Sequence, residues 1–536
     1  MAPDSPQLQG APTEARPVLV AGGWRQAAAK DFFHATDPTT NRPRTETWPV
    51  SGWSDVETAL DAATTAAAEL AGLPAARIAD FLDRYAARLE ASGDELVALA
   101  HAESGLAKKP RLTDVELPRT LDQLRQAAAA AREGSWRMIS IDRPRNLRAA
   151  SFGIGPVVVL PPGNFPLAYG AVTGGDFAAA IAGGNPVIAK AHPWCPAVSH
   201  RAAAEAVAAL GEAGLPPATV RLLHGISPSD GERLVADPRV GGTGFTGSEA
   251  AGRRLFAAAA ATGRVIWAEM GSMNPVVLLP GAIAERPDAI ADDLTASVTG
   301  SAGQFCTKPG LVFLVDDAAA AGFVAALAER FRRVGPQVLL APPARDRLLG
   351  AAARIRAAGG RVIVGGHAED DTAGCTHSPL LLETTASELL ANPDGLLVEA
   401  FGNVTLLVRC RDAAELGAAI AVVRGSLAAA LYLARDGSDA PSAAMVSDLL
   451  VARAGRVVEN RMPTGLAVSP ATQHGGPWPS AAPPFLSAVG FPWTILRFAR
   501  RVCFDGWSQE RLPECVRDAA PPGAAWRYVD GNWTRG

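Results

Sequence analysis

Cys306 stands in Thr299-Gly300-Ser301-Ala302-Gly303-Gln304-Phe305-Cys306-Thr307-Lys308-Pro309-Gly310, a stretch of small residues with glycines on both sides. Small neighbours leave room for a substrate to reach the sulfur, and glycines let backbone approach closely. A nucleophilic thiolate there needs a base, an oxyanion donor and an acceptor for what leaves. The plain alternative is a small buried hydrophobe, the usual fate of an intracellular cysteine. The rest of the chain has to decide between the two.

Glu269 closes the run Arg264-Val265-Ile266-Trp267-Ala268. A carboxylate at the C-terminal end of a parallel strand lies where α/β folds place their ligands. Trp267 and Met270 beside it suit a general base, because an apolar setting favours the protonated form. Asn164 lies in Leu160-Pro161-Pro162-Gly163-Asn164-Phe165-Pro166, where an amide donor can hold a developing oxyanion, although turns favour Asn for local reasons too. Gly242-Thr243-Gly244-Phe245-Thr246-Gly247 matches GxGxxG, with Glu269 at nearly the distance of that fingerprint's ribose-binding acid. Leu234 to Arg239, however, is a poor strand to precede its first glycine. The better parse puts Val240 to Thr246 in the strand, the turn at Gly247-Ser248 and a helix start near Glu249. The free N–H groups of that helix suit a pyrophosphate, and Glu269 is released from ribose duty.

These parts need a scaffold. At 536 residues the chain should hold two or three domains. A hydrophobic share of 48% with 19% charged residues suits a soluble globular protein, and a net charge of −4 gives no basic field for nucleic acid or an anionic membrane. The six cysteines are scattered, with no metal-ligand spacing, which fits a reduced compartment and a cytoplasmic protein without a metal. Met1 to Gly10 lacks the layout of a secretory signal, and no apolar stretch is long enough to span a bilayer. Residues 1–16 read as a disordered lead. Helical patterns follow from Ser54, with Ser54 as N-cap and Glu57 at the capping-box position, and continue to Glu133. From Val157 buried β-branched strands alternate with helices, which implies a doubly wound α/β domain. A second α/β unit begins after Asn274-Pro275. Segments 135–151 and 485–510 alternate apolar and polar residues and read as a protruding arm.

Taken together the motifs resemble the aldehyde dehydrogenase superfamily. They are GNFP (163–166), the strand ending in Lys190, FTGS (245–248), EMGSMNP (269–275), GQFCTKPG (303–310), Glu399-Ala400-Phe401-Gly402-Asn403 and Pro463-Thr464-Gly465. The forms Lys190-Ala191-His192-Pro193 and His474-Gly475-Gly476-Pro477-Trp478-Pro479 look most like one branch. That branch holds α-ketoglutaric semialdehyde dehydrogenases and NADP-dependent fatty aldehyde dehydrogenases. The resemblance implies a Rossmann-like cofactor domain (17–134 and 152–274), an α/β catalytic domain (275–470) and a β-strand oligomerisation arm (135–151 and 485–510). It implies Cys306 as nucleophile, Glu269 as base, and Asn164 with the Cys306 N–H as the oxyanion hole. Lys190, His192, Gly247, Ser248, Glu399 and Phe401 would hold the cofactor. Phe165, Phe305, Thr307, Lys308 and Arg461 would line the substrate tunnel.

Many NAD-preferring relatives carry a glutamate three residues after the lysine. Here that position is Pro193, so NADP should be accepted, with NAD possible. Lys308 stands where the branch usually has asparagine, and Arg461-Met462 replaces the usual Gly-Phe. The two cations could favour an aldehyde bearing a carboxylate, or they could point into solvent. The leading reading is NAD(P)-dependent oxidation of an aldehyde to its acid by a homodimer or homotetramer. A thioester-forming reductase or acyltransferase on the same scaffold, or a non-catalytic binding paralogue, are the alternatives.

Overall fold

The computed structural model describes residues 15–366, 374–519 and 525–535. The lead expected over 1–16 therefore lies outside the described residues, apart from its last two.

Two sheets carry the architecture. The first runs in the order Gly23–Arg25, Val18–Val20, Val220–Leu223, Val187–Lys190, Val157–Leu160, Gly242–Thr246, Val265–Glu269 and Ala481–Ala482. Its five inner strands, Val220–Leu223 through Val265–Glu269, are parallel, and antiparallel strands finish both edges. The β-branched runs are explained by burial on both faces. Val157 and Val159 pack on one side with the helices Ala75–Ala91, Leu117–Glu133, Gly175–Ala182 and Pro196–Ala213. Val158 and Leu160 pack on the other with Trp53–Ala71, Pro228–Ala236 and Glu249–Ala261. Register pairs Phe245 with Leu160 and Thr246 with Glu269, so these strands deliver their last residues to one edge.

The second sheet runs Arg361–Val364, Leu380–Thr385, Val404–Cys410, Leu311–Val315, Pro275–Leu278, Ser426–Tyr432 and Ala454–Glu459. All neighbours are parallel except the first pair. Pro275 pairs with Leu311, so the loops that follow Glu269 and contain Cys306 enter adjacent strands side by side. Glu269 and the Cys306 loop thus lie between the C-terminal edge of one sheet and the N-terminal edge of the other.

A third, five-stranded sheet joins Ala499–Asp505, Leu147–Gly153, Ile139–Asp142, Arg527–Val529 and Asn532–Thr534. Its first three strands come from the two alternating segments. The last two were not anticipated from sequence, because three-residue strands carry too little periodicity to register. The helix expected to be capped by Ser54 begins at Trp53, with its cap two residues earlier, at Gly52, and no side-chain capping bond. Among the described residues no helix is long and apolar enough to cross a membrane.

Candidate active site

The loop that carries Cys306 is set by backbone geometry. Ser301, Ala302 and Gly303 take left-handed dihedrals in succession (φ 49°, 55° and 67°). Two of these are not glycine, and each such residue costs about 1–3 kcal/mol that its surroundings must offset. Gly303 is required on a second count, since a Cβ there would run into the Gly402 carbonyl. Asn274 fixes the other side. Its Nδ2 donates to the carbonyls of Cys306 (2.8 Å) and Lys308 (3.0 Å), while its Oδ1 accepts from Ser272 Oγ and the Ala428 N–H. The EMGSMNP turn thus holds the nucleophile loop in place.

Cys306 Sγ lies 3.3 Å from His474 Nε2, and the same nitrogen lies 3.2 Å from Glu269 Oε1. The three ligand-bearing atoms fall within 4.8 Å of one another. Glu269 and His474 are buried, and Cys306 is half-buried. Neither Glu269 oxygen has a hydrogen bond of regular geometry, so the imidazole is that carboxylate's charge partner. Burial pulls the His474 pKa down, but Glu269 first, then Tyr169 and Cys306, more than offset this and hold it well above the usual histidine value. The imidazolium is therefore favoured where the ring faces the Glu269 carboxylate and the Cys306 sulfur. A recess of about 20 Å³, bounded in part by Thr246, Glu269 and His474, has room for about one water beside the carboxylate.

His474 is the residue of this cluster to which the sequence reading assigned no role. Its Gly-Gly-Pro context served only to mark a branch of relatives, and one histidine in a loop gives no periodicity to read. The local reason for the glycines is visible in the fold. A Cβ on Gly476 would meet the Ser426 carbonyl, and the Gly475 carbonyl lies where a Cβ on Gly455 would go. The segment is threaded against two strands of the second sheet, and Ser487 Oγ accepts the His474 N–H at 3.0 Å.

Asn164 is buried and donates one amide hydrogen to the Gln304 carbonyl at 3.0 Å, which leaves the other free. Phe165 and Phe305 meet at 5.7 Å between ring centroids and line a cavity of about 750 Å³ with Arg111, Arg119 and Thr464. Thr307, Lys308 and Arg461 do not line it. Thr307 is buried, its carbonyl accepting from Thr464 Oγ1. Lys308 corrects both halves of its expectation, facing neither substrate nor solvent. Its ammonium is buried and donates to the carbonyls of Ala400 (3.1 Å) and Val404 (2.6 Å), and burial lowers its pKa to about 8. It ties the Cys306 loop to the Glu399 loop. Arg461 is exposed.

The positions expected to hold a cofactor gather at the strand ends. Lys190 ends its strand half-buried, with Nζ donating to the Ala191 carbonyl and burial lowering its pKa to about 8. His192 packs against Trp194 at 4.6 Å, and burial, with Lys190 and Arg347 nearby, keeps it neutral. Gly247 follows Gly242–Thr246 directly, and Ser248 caps the helix Glu249–Ala261 by accepting from the Ala251 N–H. This is the parse chosen over GxGxxG. Glu399 accepts from the Ser272 N–H at 3.0 Å, and Phe401 is half-buried close by in sequence.

Comparison with known proteins shows the family and the fold. The sequence model of the aldehyde dehydrogenase family matches residues 24–480. The chain is 37% identical to α-ketoglutaric semialdehyde dehydrogenase 2 of Azospirillum brasilense, over 94% of this chain and 97% of that one. It is 34% identical to α-ketoglutaric semialdehyde dehydrogenase of Acinetobacter baylyi, over 93% and 95% respectively. A solved aldehyde dehydrogenase from Pseudomonas syringae, held with NAD+ and octanal, superimposes with a TM-score of 0.80 at 20% identity, covering 94% of this chain and 99% of that one.

Proposed function

The chain belongs to the aldehyde dehydrogenase family and oxidises an aldehyde to its carboxylic acid with a nicotinamide cofactor; we propose that Cys306 is the nucleophile, Glu269 the hydrolytic base and His474 the group that readies the sulfur. The observation that carries this reading is the convergence of the three reactive atoms within 4.8 Å. His474 in its protonated form stabilises negative charge on Sγ. The thiolate adds to the aldehyde carbon, giving a hemithioacetal whose oxygen is held by the free Asn164 amide hydrogen and the Cys306 N–H. A nicotinamide held at this edge would supply the acceptor for the hydride that leaves that carbon, and Cys306 would then carry the acyl group as a thioester. Glu269 then takes a proton from a water in the recess beside it, and the resulting hydroxide releases the acid and returns the thiolate.

The residues present fit that cofactor. Lys190, Gly247 with Ser248, and Glu269 share one edge of a parallel sheet. The 13-residue helix after Ser248 offers its N-terminal N–H groups to a pyrophosphate. Lys190 and His192 would lie at the adenosine end, Glu399 and Phe401 at the nicotinamide end. No acidic residue stands at Pro193, and Arg347 adds positive charge near His192, which supports NADP+ as the preferred form.

The names of the two relatives support a carboxylate-bearing semialdehyde as substrate. On this reading residues 17–134 and 152–274 form the cofactor unit and 275–470 the catalytic unit. Segments 135–151 and 485–510 assemble a cytoplasmic homodimer or homotetramer.

The experiment is Glu269→Gln assayed with rapid mixing. The expected result is a burst of reduced cofactor equal to the enzyme added, then steady turnover slowed by about 10²–10⁴-fold. Undiminished turnover would favour acyl transfer on the same scaffold instead.

A further inference from the structure

The two cations that sequence offered for an acidic substrate do not reach the cavity, yet the cavity is not without charge. It is lined by two arginines from one helical segment, Arg111 and Arg119, and they differ in one respect. Arg111 is neutralised: its Nη1 pairs with buried Glu116 at 2.6 Å, its Nη2 donates to the Asn164 carbonyl, and its plane lies 4.2 Å above the Phe165 ring. Glu116 is fully occupied too, accepting from the N–H groups of Leu167 and Ala168 as well.

Arg119 has no such partner. No carboxylate among the described residues lies within ion-pair distance of it. One terminal nitrogen donates to Tyr169 Oη at 2.9 Å, and its Nε, like that of Arg111, is buried without a partner. A half-buried guanidinium with unspent donors is an anion site in waiting, because a planar fork matches a carboxylate in two parallel bonds. Asp122, one turn further on, also borders the cavity, but it is exposed and its carboxylate already accepts from Gln126.

Placement completes the case. Tyr169 joins Arg119 to the reaction centre. Its hydroxyl accepts from Arg119, and its ring lies 5.3 Å from Phe165 and 6.1 Å from His474. Arg119 thus stands one tyrosine's length from the group beside Cys306, and it lines the same cavity as Phe305.

We propose that Arg119, oriented by Tyr169, is the anchor for a carboxylate at the far end of the aldehyde substrate and sets the preference for short semialdehydes over neutral aldehydes. This rests on the reading of Cys306 as the nucleophile. Arg111 serves a different purpose, bracing the Asn164 turn and the phenylalanine walls.

The test compares succinic semialdehyde with butanal, which has the same carbon count and no carboxylate, on the intact enzyme with saturating cofactor. Arg119→Met is expected to lower kcat/KM for succinic semialdehyde by about 10- to 100-fold, the range for a lost hydrogen bond to a charged group. Butanal should change by less than about threefold, and Arg119→Lys should recover part of the loss. Equal losses on both aldehydes, or no loss on the acidic one, overturn the proposal. A wild-type enzyme that oxidises neither aldehyde, while Cys306 forms no thioester, overturns the underlying reading instead.

Discussion

One histidine nitrogen faces both the Cys306 sulfur and the Glu269 carboxylate, and it can direct its single proton to only one at a time. This separates the arrangement from a relay in which the base uses both ring nitrogens. On the proposed reading, acylation removes the charge from sulfur and leaves the contact with Glu269 as the imidazole's charge partner. The pH consequence has a definite sign. A histidine whose folded pKa is raised contributes stability that is whole below the ordinary value of about 6.5 and is lost as pH rises through the folded value. His474→Gln should therefore lower Tm most at pH 6, with the deficit shrinking through the alkaline range. The same variant should slow the reduced-cofactor burst about 10²-fold near neutrality. A Tm deficit independent of pH would contradict the charge assignment.

At the scale of elements, level strand ends do the gathering. Because Val187–Lys190, Val157–Leu160, Gly242–Thr246 and Val265–Glu269 pair in parallel with little stagger, each hands its next residues to the same edge. The proposed preference for NADP+ rests on the turn after Lys190. That turn offers His192 and Pro193, with the Arg347 charge near by and no carboxylate to repel a 2′-phosphate. The ratio of kcat/KM for NADP+ over NAD+ should exceed one, and a strong preference for NAD+ would refute the argument. The second sheet contributes by adjacency, since the loops entering Pro275–Leu278 and Leu311–Val315 lie side by side. Asn274 and Lys308 then cross-link them to each other and to the Glu399 loop.

For the whole molecule, the third sheet stands apart from both cores. Its own apolar cluster, with Ile139, Ile141, Ala150, Leu512 and Val516, is small, while Trp507, Trp526, Tyr528 and Trp533 on or next to its strands are exposed. Ala499–Asp505 is an edge strand with one side unpaired, and an unpaired edge is what another chain can extend. Light scattering should give the mass of a dimer or a dimer of dimers, and a monomer at working concentrations would count against this role for the arm.

The sequence by itself determined the α/β alternation, because strands buried on both faces must be continuously apolar, and it determined the reaction. Cys306, Glu269 and Asn164 each sit in a local context of glycine, strand end or turn that bears on their chemistry. Even the choice of Gly247-Ser248 over GxGxxG could be made from the poverty of the preceding strand. Tertiary structure alone decided what meets what. His474 lies far from Cys306 and Glu269 in the chain and becomes visible only when its loop is threaded against the second sheet. Lys308 is two residues from the sulfur, yet the left-handed turn and the grip of Asn274 aim it away from the cavity and into backbone carbonyls. Arg119 comes from a helix with no motif at all. Motifs report where backbone must bend or approach closely, and those demands are local; the direction of a long side chain depends on which distant surface packs against it.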